Sequence, residues 1–176
     1  MFSQALARGL NVEHGYFPNA LPAAQRFDVI VFNDVIEHIP EIRRALSEAH
    51  SRLNPHGILI LNLPNRNGFF YRLSKLLKRS GISGPFGRLW QKDLPSPHVH
   101  YFNAQNLELL VKSQNFSVVE KFESPSVRSD GLLQRIRCVG GQSKIKSYIQ
   151  YVIIRGIIPF LRLFPSDIIV VIFKKN

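Results

Sequence analysis

An α/β fold built on an open, largely parallel sheet is what this 176-residue sequence predicts, and three observations lead there. Phe27–Phe32 and Ile58–Leu63 are short apolar, β-branched runs of the kind found in parallel strands covered on both faces. Between them Ile42, Ala45, Leu46, Ala49 and Leu53 recur at helical spacing, so residues 27–63 read as strand, helix, strand with a right-handed crossover. The first run breaks abruptly into Asn33-Asp34-Val35 and then Glu37-His38. Polar chemistry is thereby placed at a strand's carboxyl end, the edge where open α/β sheets bind ligands.

The remaining elements follow in order. Leu6–Leu10 reads as the tail of a helix closing on Gly9, and Asn11–His14 as a short strand entering Gly15. Pro40 stands where proline starts a helix, and Asn54-Pro55-His56-Gly57 supplies the turn that ends it. After Pro64-Asn65 the chain turns basic and aromatic. Phe69, Phe70, Leu73, Leu76 and Leu77 form the apolar face of a short helix, and Arg66 to Lys92 hold seven basic residues and no acidic one. A connection this long suits a basic insertion or lid over residues 66–97. Asn103 caps a helix carrying Leu107, Leu110 and Val111, Phe116–Phe122 alternates as a strand, and Asp167–Lys174 is the last strand. An apolar, basic helix is predicted over residues 143–165. Lys146, Arg155, Gly156, Pro159 and Arg162 interrupt it too often for a membrane span, so it either packs on the sheet or lies along an anionic membrane surface.

Composition narrows the class. A hydrophobic content of 45% with 13 Phe excludes a disordered chain and suits one domain. The single cysteine, Cys138, excludes a disulfide framework and a thiolate zinc cluster, and fits a reducing compartment. Met1–Arg8 lacks a basic stretch followed by an unbroken apolar run, so no secretory signal is read there. Cytoplasmic residence, with or without peripheral membrane association, is the expectation. The net charge of +11 is lopsided, −1 over residues 1–63 and +12 over residues 64–176. Such a half suits anionic lipid, an anionic small substrate or nucleic acid. Nucleic acid is the least favoured, because Phe69, Phe70, Tyr71 and Trp90 fit lid packing better than base stacking.

Taken together, Phe27-Asp28-Val29-Ile30 through Glu37-His38-Ile39, then Leu53-Asn54-Pro55-His56-Gly57, Ile58–Leu63 and Pro64-Asn65, resemble class I S-adenosylmethionine-dependent methyltransferases. His98-Val99-His100-Tyr101-Phe102, followed by a helix and Asn115-Phe116, resembles the small-molecule and glycan branch of that family. Residues 6–123 and 167–174 take part. The resemblance implies a partial Rossmann-like sheet of order 3-2-1-4-5-7-6, with strands 3 to 7 present and strands 1 and 2 missing. The family's glycine-rich loop and acidic strand end, which hold the methionine and ribose of the cofactor, have no counterpart here. Residues 1–176 are therefore expected to be a single, N-terminally truncated domain. Its strand 4 would carry an unpaired apolar edge, to be completed by a partner chain or the missing N-terminal segment. The implied reaction is methyl transfer from S-adenosylmethionine to oxygen of a small-molecule, lipid-linked or glycan acceptor, impaired in this chain. The rival expectation is a degenerate, non-catalytic domain that binds RNA, anionic lipid or a protein partner.

By the same resemblance Gly15, Tyr16 and Phe17 would flank the adenine, Asn33, Asp34 and Val35 the methionine portion, and Pro64-Asn65 would face the acceptor. Asp34, Glu37 and His38 stand at i, i+3, i+4 and converge if the segment turns helical. With His98 or His100 over the same edge they make a carboxylate and imidazole set for a divalent cation, Mg²⁺, Mn²⁺, Fe²⁺ or Zn²⁺. Quinone O-methyltransferases and small-RNA 2′-O-methyltransferases provide the precedent by resemblance, and the expected ligands are Asp34, Glu37, His38 and His100. The metal-free alternative takes His38 or His100 as general base, with Glu37 beside it. Purely local roles are the third possibility: Glu37 at the positive end of the following helix, His38 as a cap, and His100 packed beside Tyr101 and Phe102.

Overall fold

A computed structural model describes residues 2–138 and 143–176. It opens with helix α1 (Phe2–Ala7), strand β1 (Phe27–Asn33), a 3-10 turn over Ile36–His38, helix α2 (Ile42–Arg52) and strand β2 (Leu53–Pro64). Helices α3 (Phe69–Arg79), α4 (Gly84–Leu89) and α5 (Ala104–Lys112) follow, then strand β3 (Phe116–Ser124), helices α6 (Leu132–Cys138) and α7 (Lys144–Leu161), and strand β4 (Ile168–Lys175). The sheet order is β1-β2-β4-β3. β1 and β2 run parallel, whereas β4 is antiparallel to both its neighbours. This is the order expected of strands 4, 5, 7 and 6 of the Rossmann-like methyltransferase sheet.

The core forms where the helical stripes meet the sheet. Leu59, Leu61 and Leu63 alternate along β2 and are fully buried, as are Val171 and Phe173 on β4. Ile42, Ala45, Leu46 and Ala49 of α2 and Leu107 and Val111 of α5 join them in one cluster. Each such leucine contributes about 2 kcal/mol by leaving water. α5 begins as its sequence suggests, with Asn103 accepting from the Asn106 backbone and Asn106 answering to the Asn103 amide.

Four expectations need correction. Asn11–His14 is not a strand, since no strand among the described residues lies beside it to complete a ladder. β1 is not buried on both faces: Val29 and Val31 are 49% and 54% exposed, because β1 pairs with β2 alone and one sheet face there is open. The helix does not begin at Pro40. A 3-10 turn precedes it and α2 starts at Ile42, which leaves Glu37 and His38 in the connection itself. Asn54–Gly57 does not separate α2 from the next strand either. Leu53 already pairs with Phe27, and Val29 pairs with Ile58, so the four residues are a bulge within β2 at which His56 takes a positive φ of 64°.

Residues 66–97, the stretch expected to be a basic insertion or lid, hold two helices, α3 and α4. The chain reaches α3 through Gly68, where a Cβ would stand 2.4 Å from Asp167 Oδ1, so only glycine fits. Asp167 Oδ1 in turn accepts from the Tyr71 backbone in the first turn of α3, favoured there by the helix dipole. Tyr71, Phe86, Trp90 and Tyr101 then pack ring against ring at 4.6–6.1 Å and fasten α3 and α4 over the segment after the lid. These aromatics therefore serve packing. α6 was not anticipated, and α7 covers the predicted 143–165 segment with its apolar stripe left exposed.

Candidate functional site

The site lies past the carboxyl end of β1. Asp34 leaves the strand with a φ of 51°, its backbone N–H still donating to Asn62 O at 2.9 Å, and Asn33 Oδ1 accepts from the Asn62 amide at 2.6 Å. The ladder thus continues one residue beyond the strand before the chain turns into Ile36–His38. That turn buries Glu37 to 1% exposure. The segment after the lid closes over it, because Glu37 O accepts from both Val99 N at 2.9 Å and His100 N at 3.1 Å.

Three titratable side chains converge as a result. Ligand atoms of Glu37, His38 and His98 lie within 4.8 Å of one another, and Glu37 Oε1 is 4.0 Å from the Nε2 of each histidine. The imidazoles meet edge to face at 4.6 Å. His38 Nδ1 is 3.0 Å from Pro97 O, an acceptor only, so Nδ1 carries the hydrogen and the neutral ring presents its lone pair at Nε2. His98 Nε2 is 3.1 Å from the Gln91 side-chain nitrogen at the end of the lid.

Electrostatics in the cluster are set by burial. Desolvation raises the Glu37 carboxyl above its ordinary range, its own backbone amide and His38 oppose the rise, and Asp34 adds to it. Desolvation, then the nearby His38, lowers His98, so its imidazole is neutral at neutral pH. Tyr101, buried against the same ring stack, has its phenol pushed up for the same reason. Apart from that approach to its own backbone amide, both carboxyl oxygens of Glu37 are buried without a hydrogen-bond partner of ordinary geometry among the described residues. A buried carboxyl in that condition costs about 1–3 kcal/mol and is receptive to a donor or a cation.

The other expected site residues fall elsewhere. His100 Nε2 is 3.1 Å from Ile39 O and 3.4 Å from Pro40 O, and its ring packs on Phe102, so it braces the connection between the 3-10 turn and α2. His98 occupies the place expected of His100. Asp34 lies outside the ligand cluster and is exposed at the strand end beside Asn33 and Val35. Phe17 reaches β1 by packing edge-on against Phe32 at 5.5 Å, while Tyr16 projects outward at 90% exposure. Gly15 takes a φ of 143°, and a Cβ there would meet Ala20 at 2.9 Å. The buried Arg52 steadies this loop through Pro22 O at 2.8 Å and Pro18 O at 3.3 Å. Asn65 does not face outward toward an acceptor. It is buried, donates to Ser166 O at 2.8 Å and accepts from Asn67 N at 2.9 Å, tying β2 to the start of β4.

Sequence reasoning missed Gln91 and Tyr101 as members of the site wall. Spacing alone carries no signal for them, since it is tertiary packing that brings Gln91 to His98 Nε2 and the Tyr101 ring to within 5.5 Å of the His98 ring.

The family model described as a methyltransferase domain matches residues 3–121. Among curated proteins none matches the sequence. Among solved structures, a Galdieria sulphuraria protein assigned as a sarcosine dimethylglycine methyltransferase aligns at 16% identity with a TM-score of 0.52. It covers 99% of this chain and 63% of its own length. A SAM-dependent methyltransferase from Thermotoga maritima aligns at 16% identity and a TM-score of 0.51, over 89% and 59% of the two chains. The cyclopropane synthase MmaA2 of Mycobacterium tuberculosis aligns at 16% and 0.51, over 86% and 56%. The chain thus spans about three fifths of the length of these structures. At such identities the likeness is one of fold, and the presence of a cyclopropane synthase beside two methyltransferases leaves the acceptor open.

Proposed function

We propose that this chain, which belongs to the methyltransferase-domain family, contributes the acceptor-side wall of an S-adenosylmethionine-dependent methyltransferase acting on oxygen of a small-molecule, lipid-linked or glycan acceptor. The observation that carries the reading is the Glu37, His38 and His98 cluster past the carboxyl end of a parallel strand, with Glu37 buried, both histidines partly buried and Gln91 against His98. S-adenosylmethionine, when bound, offers a methyl group made electrophilic by its sulfonium. The chain's residues that fit beside it are Asn33, Asp34 and Val35 at the strand end, with Phe17 and the exposed Tyr16 on the adenine side.

The protein's own groups handle the proton. His38, held by Pro97 O in the tautomer with Nε2 free, is the group that would accept the proton of an acceptor hydroxyl, the methyl's bond to sulfur breaking with the thioether as leaving group as the oxygen is methylated. Glu37 at 4.0 Å, in its ionised form, offsets the positive charge that the ring acquires. His98, kept neutral by burial, leaves that charge to His38 alone. The Tyr101 ring, itself stacked on Trp90 at 5.0 Å, packs edge-on against His98 and fixes the wall behind it.

A second reading is favoured by the two partnerless oxygens of Glu37. One carboxylate and two imidazoles form a donor set suited to Mn²⁺, Fe²⁺ or Zn²⁺. Such a cation would lower the pKa of an acceptor hydroxyl. Asp34 and His100 fall outside this set, so the fit rests on Glu37, His38 and His98.

The test is calorimetric titration of S-adenosylmethionine and S-adenosylhomocysteine into this chain and, where the gene encodes residues upstream of Met1, into the chain extended by them. Methyl transfer to a panel of phenolic, quinol and glycan acceptors would be read by mass spectrometry. Binding by either form, with transfer reduced at least tenfold in His38→Gln, supports the reading. Absence of binding to both cofactor forms by every form of the protein tested overturns it.

A further inference from the structure

We infer that α7 is a docking face for an anionic membrane surface, on which it lies flat. The first observation is that the helix is turned the wrong way for a core element. Its inward side carries Ser147, Gln150, Ile154 and Ile158, with Ser147 1% exposed. Its outward side carries Ile145, Tyr148, Ile149, Val152, Ile153 and Phe160, all exposed, Ile145 to 75%. Ile145 to Ile153 recur at three- and four-residue spacing and Phe160 follows two turns on, so they form one apolar stripe on the face opposite the buried one. An amphipathic helix whose polar serine and glutamine face the protein is built to bury its other side elsewhere.

The second observation is charge. Lys144, Arg155 and Arg162 are spaced eleven and seven residues apart, which places them in one line along the helix, on the flank of the apolar stripe. Residues 144–162 contain no acidic side chain. Across residues 128–162 only Asp130 stands against seven basic residues. A protein partner with an apolar groove would satisfy the stripe alone. An anionic bilayer satisfies both features, because apolar side chains enter the acyl boundary while long cationic ones reach the headgroups. Tyr148 and Phe160 suit that boundary, their rings lying at headgroup depth.

The third observation is continuity with the lid. Phe160 meets Phe164 at 5.0 Å, Phe164 meets Phe69 at 4.6 Å, and Phe69 meets Phe70 at 5.3 Å, so the apolar surface runs from α7 onto α3. There Leu73 and Leu76 are also exposed. Arg72, Lys75 and Arg79 of α3 add cations to the same end. No helix among the described residues is long and apolar enough to cross a membrane, so the contact is one of lying on the surface.

Vesicle co-sedimentation of the purified chain decides the matter, and it reads lipid binding whether or not methyl transfer occurs. The probes are vesicles of phosphatidylcholine alone and of phosphatidylcholine with an equal part of phosphatidylglycerol. The parent protein is expected to sediment with the anionic vesicles and much less with the neutral ones. Arg155→Gln with Arg162→Gln should weaken anionic binding about fivefold per charge at low salt. Ile149→Gln, Val152→Gln and Ile153→Gln together should weaken it about a hundredfold, since three half-exposed apolar side chains no longer enter the bilayer. All five positions are exposed, so circular dichroism should show the folded state kept in each variant. The inference is overturned if the parent stays in the supernatant with anionic vesicles, or if the apolar triple variant binds as well as the parent. It is equally overturned if light scattering finds a dimer that the triple variant dissociates while vesicle binding is absent, for the stripe would then be a contact between copies.

Discussion

Glu37 Oε1 stands 4.0 Å from His98 Nε2, with the whole lid between them in sequence and nothing but the approach of two loops joining them in space. Two backbone hydrogen bonds from Val99 and His100 to Glu37 O hold that approach. The side chains are therefore placed by main-chain contacts and stay placed when a side chain is changed. This makes the pair open to substitution.

Glu37→Gln keeps the shape and removes a buried carboxyl that burial disfavours in its charged form. A folded-state pKa raised above the unfolded one favours folding of the protonated form, and that advantage is lost as pH rises from the ordinary glutamate range through the raised value. The variant should thus be more stable than the parent by about 1 kcal/mol at neutral pH, and the difference should shrink in mild acid. Urea unfolding across pH reads it. A variant that is less stable at neutral pH, in metal-free buffer, would show that Glu37 has a partner in the folded state.

His98 titrates with the opposite sign. Its pKa is lowered in the folded state, so protonation favours the unfolded chain and stability falls as pH drops below the ordinary histidine value near 6.5. His98→Gln should flatten stability against pH in that mildly acidic window. An unchanged slope would mean that His98 is as protonatable folded as unfolded.

Metal binding is separable from both. If Glu37, His38 and His98 hold a cation, saturating Mn²⁺ or Zn²⁺ at about a hundred times its dissociation constant should stabilise the parent by about 2.7 kcal/mol. His98→Ala should abolish the gain, and a chelator should reverse it in the parent. Equal thermal midpoints with and without metal in the parent rule out the cation reading and leave His38 as the base.

Gly68→Ala tests the close approach of Gly68 to Asp167. The new Cβ would fall within 2.6 Å of Asp167 Oδ1, Cα and Cγ, so either β4 or the start of α3 must shift. A loss of about 1–3 kcal/mol is expected by chemical denaturation, with protease sensitivity rising within residues 66–97. Asn103→Ala is the contrasting case. It removes a cap without moving the backbone and should cost about 1 kcal/mol.

Much of this protein was legible locally. The β1–α2–β2 unit, the Asn103 cap and the apolar stripe of residues 145–160 depend on period and capping, which neighbouring residues carry. Asn11–His14 failed because a strand exists only when another strand pairs with it. Val29 and Val31 failed for a related reason, since an apolar run states what it would bury and not whether anything covers it. His98 rather than His100 enters the cluster because the lid's length and packing set which of two alternate histidines faces Glu37. Spacing by itself leaves them equivalent.

By itself, then, the sequence determined the β1–α2–β2 unit, the later order of α5, β3, α7 and β4, the polar break at Asn33–Asp34 and the presence of acid and imidazole near one strand end, because these follow from propensity and short-range pattern. Only the tertiary structure decided that the Glu37 carboxyl lies buried without a side-chain hydrogen-bond partner among the described residues, that His38 is held in one tautomer by Pro97 O, that Asn65 is a brace, and that α7 turns its apolar stripe outward. Each of these is a relation between segments distant in sequence. Desolvation and hydrogen-bond partnership are set by what the folded chain brings alongside a residue, which its sequence neighbours do not encode.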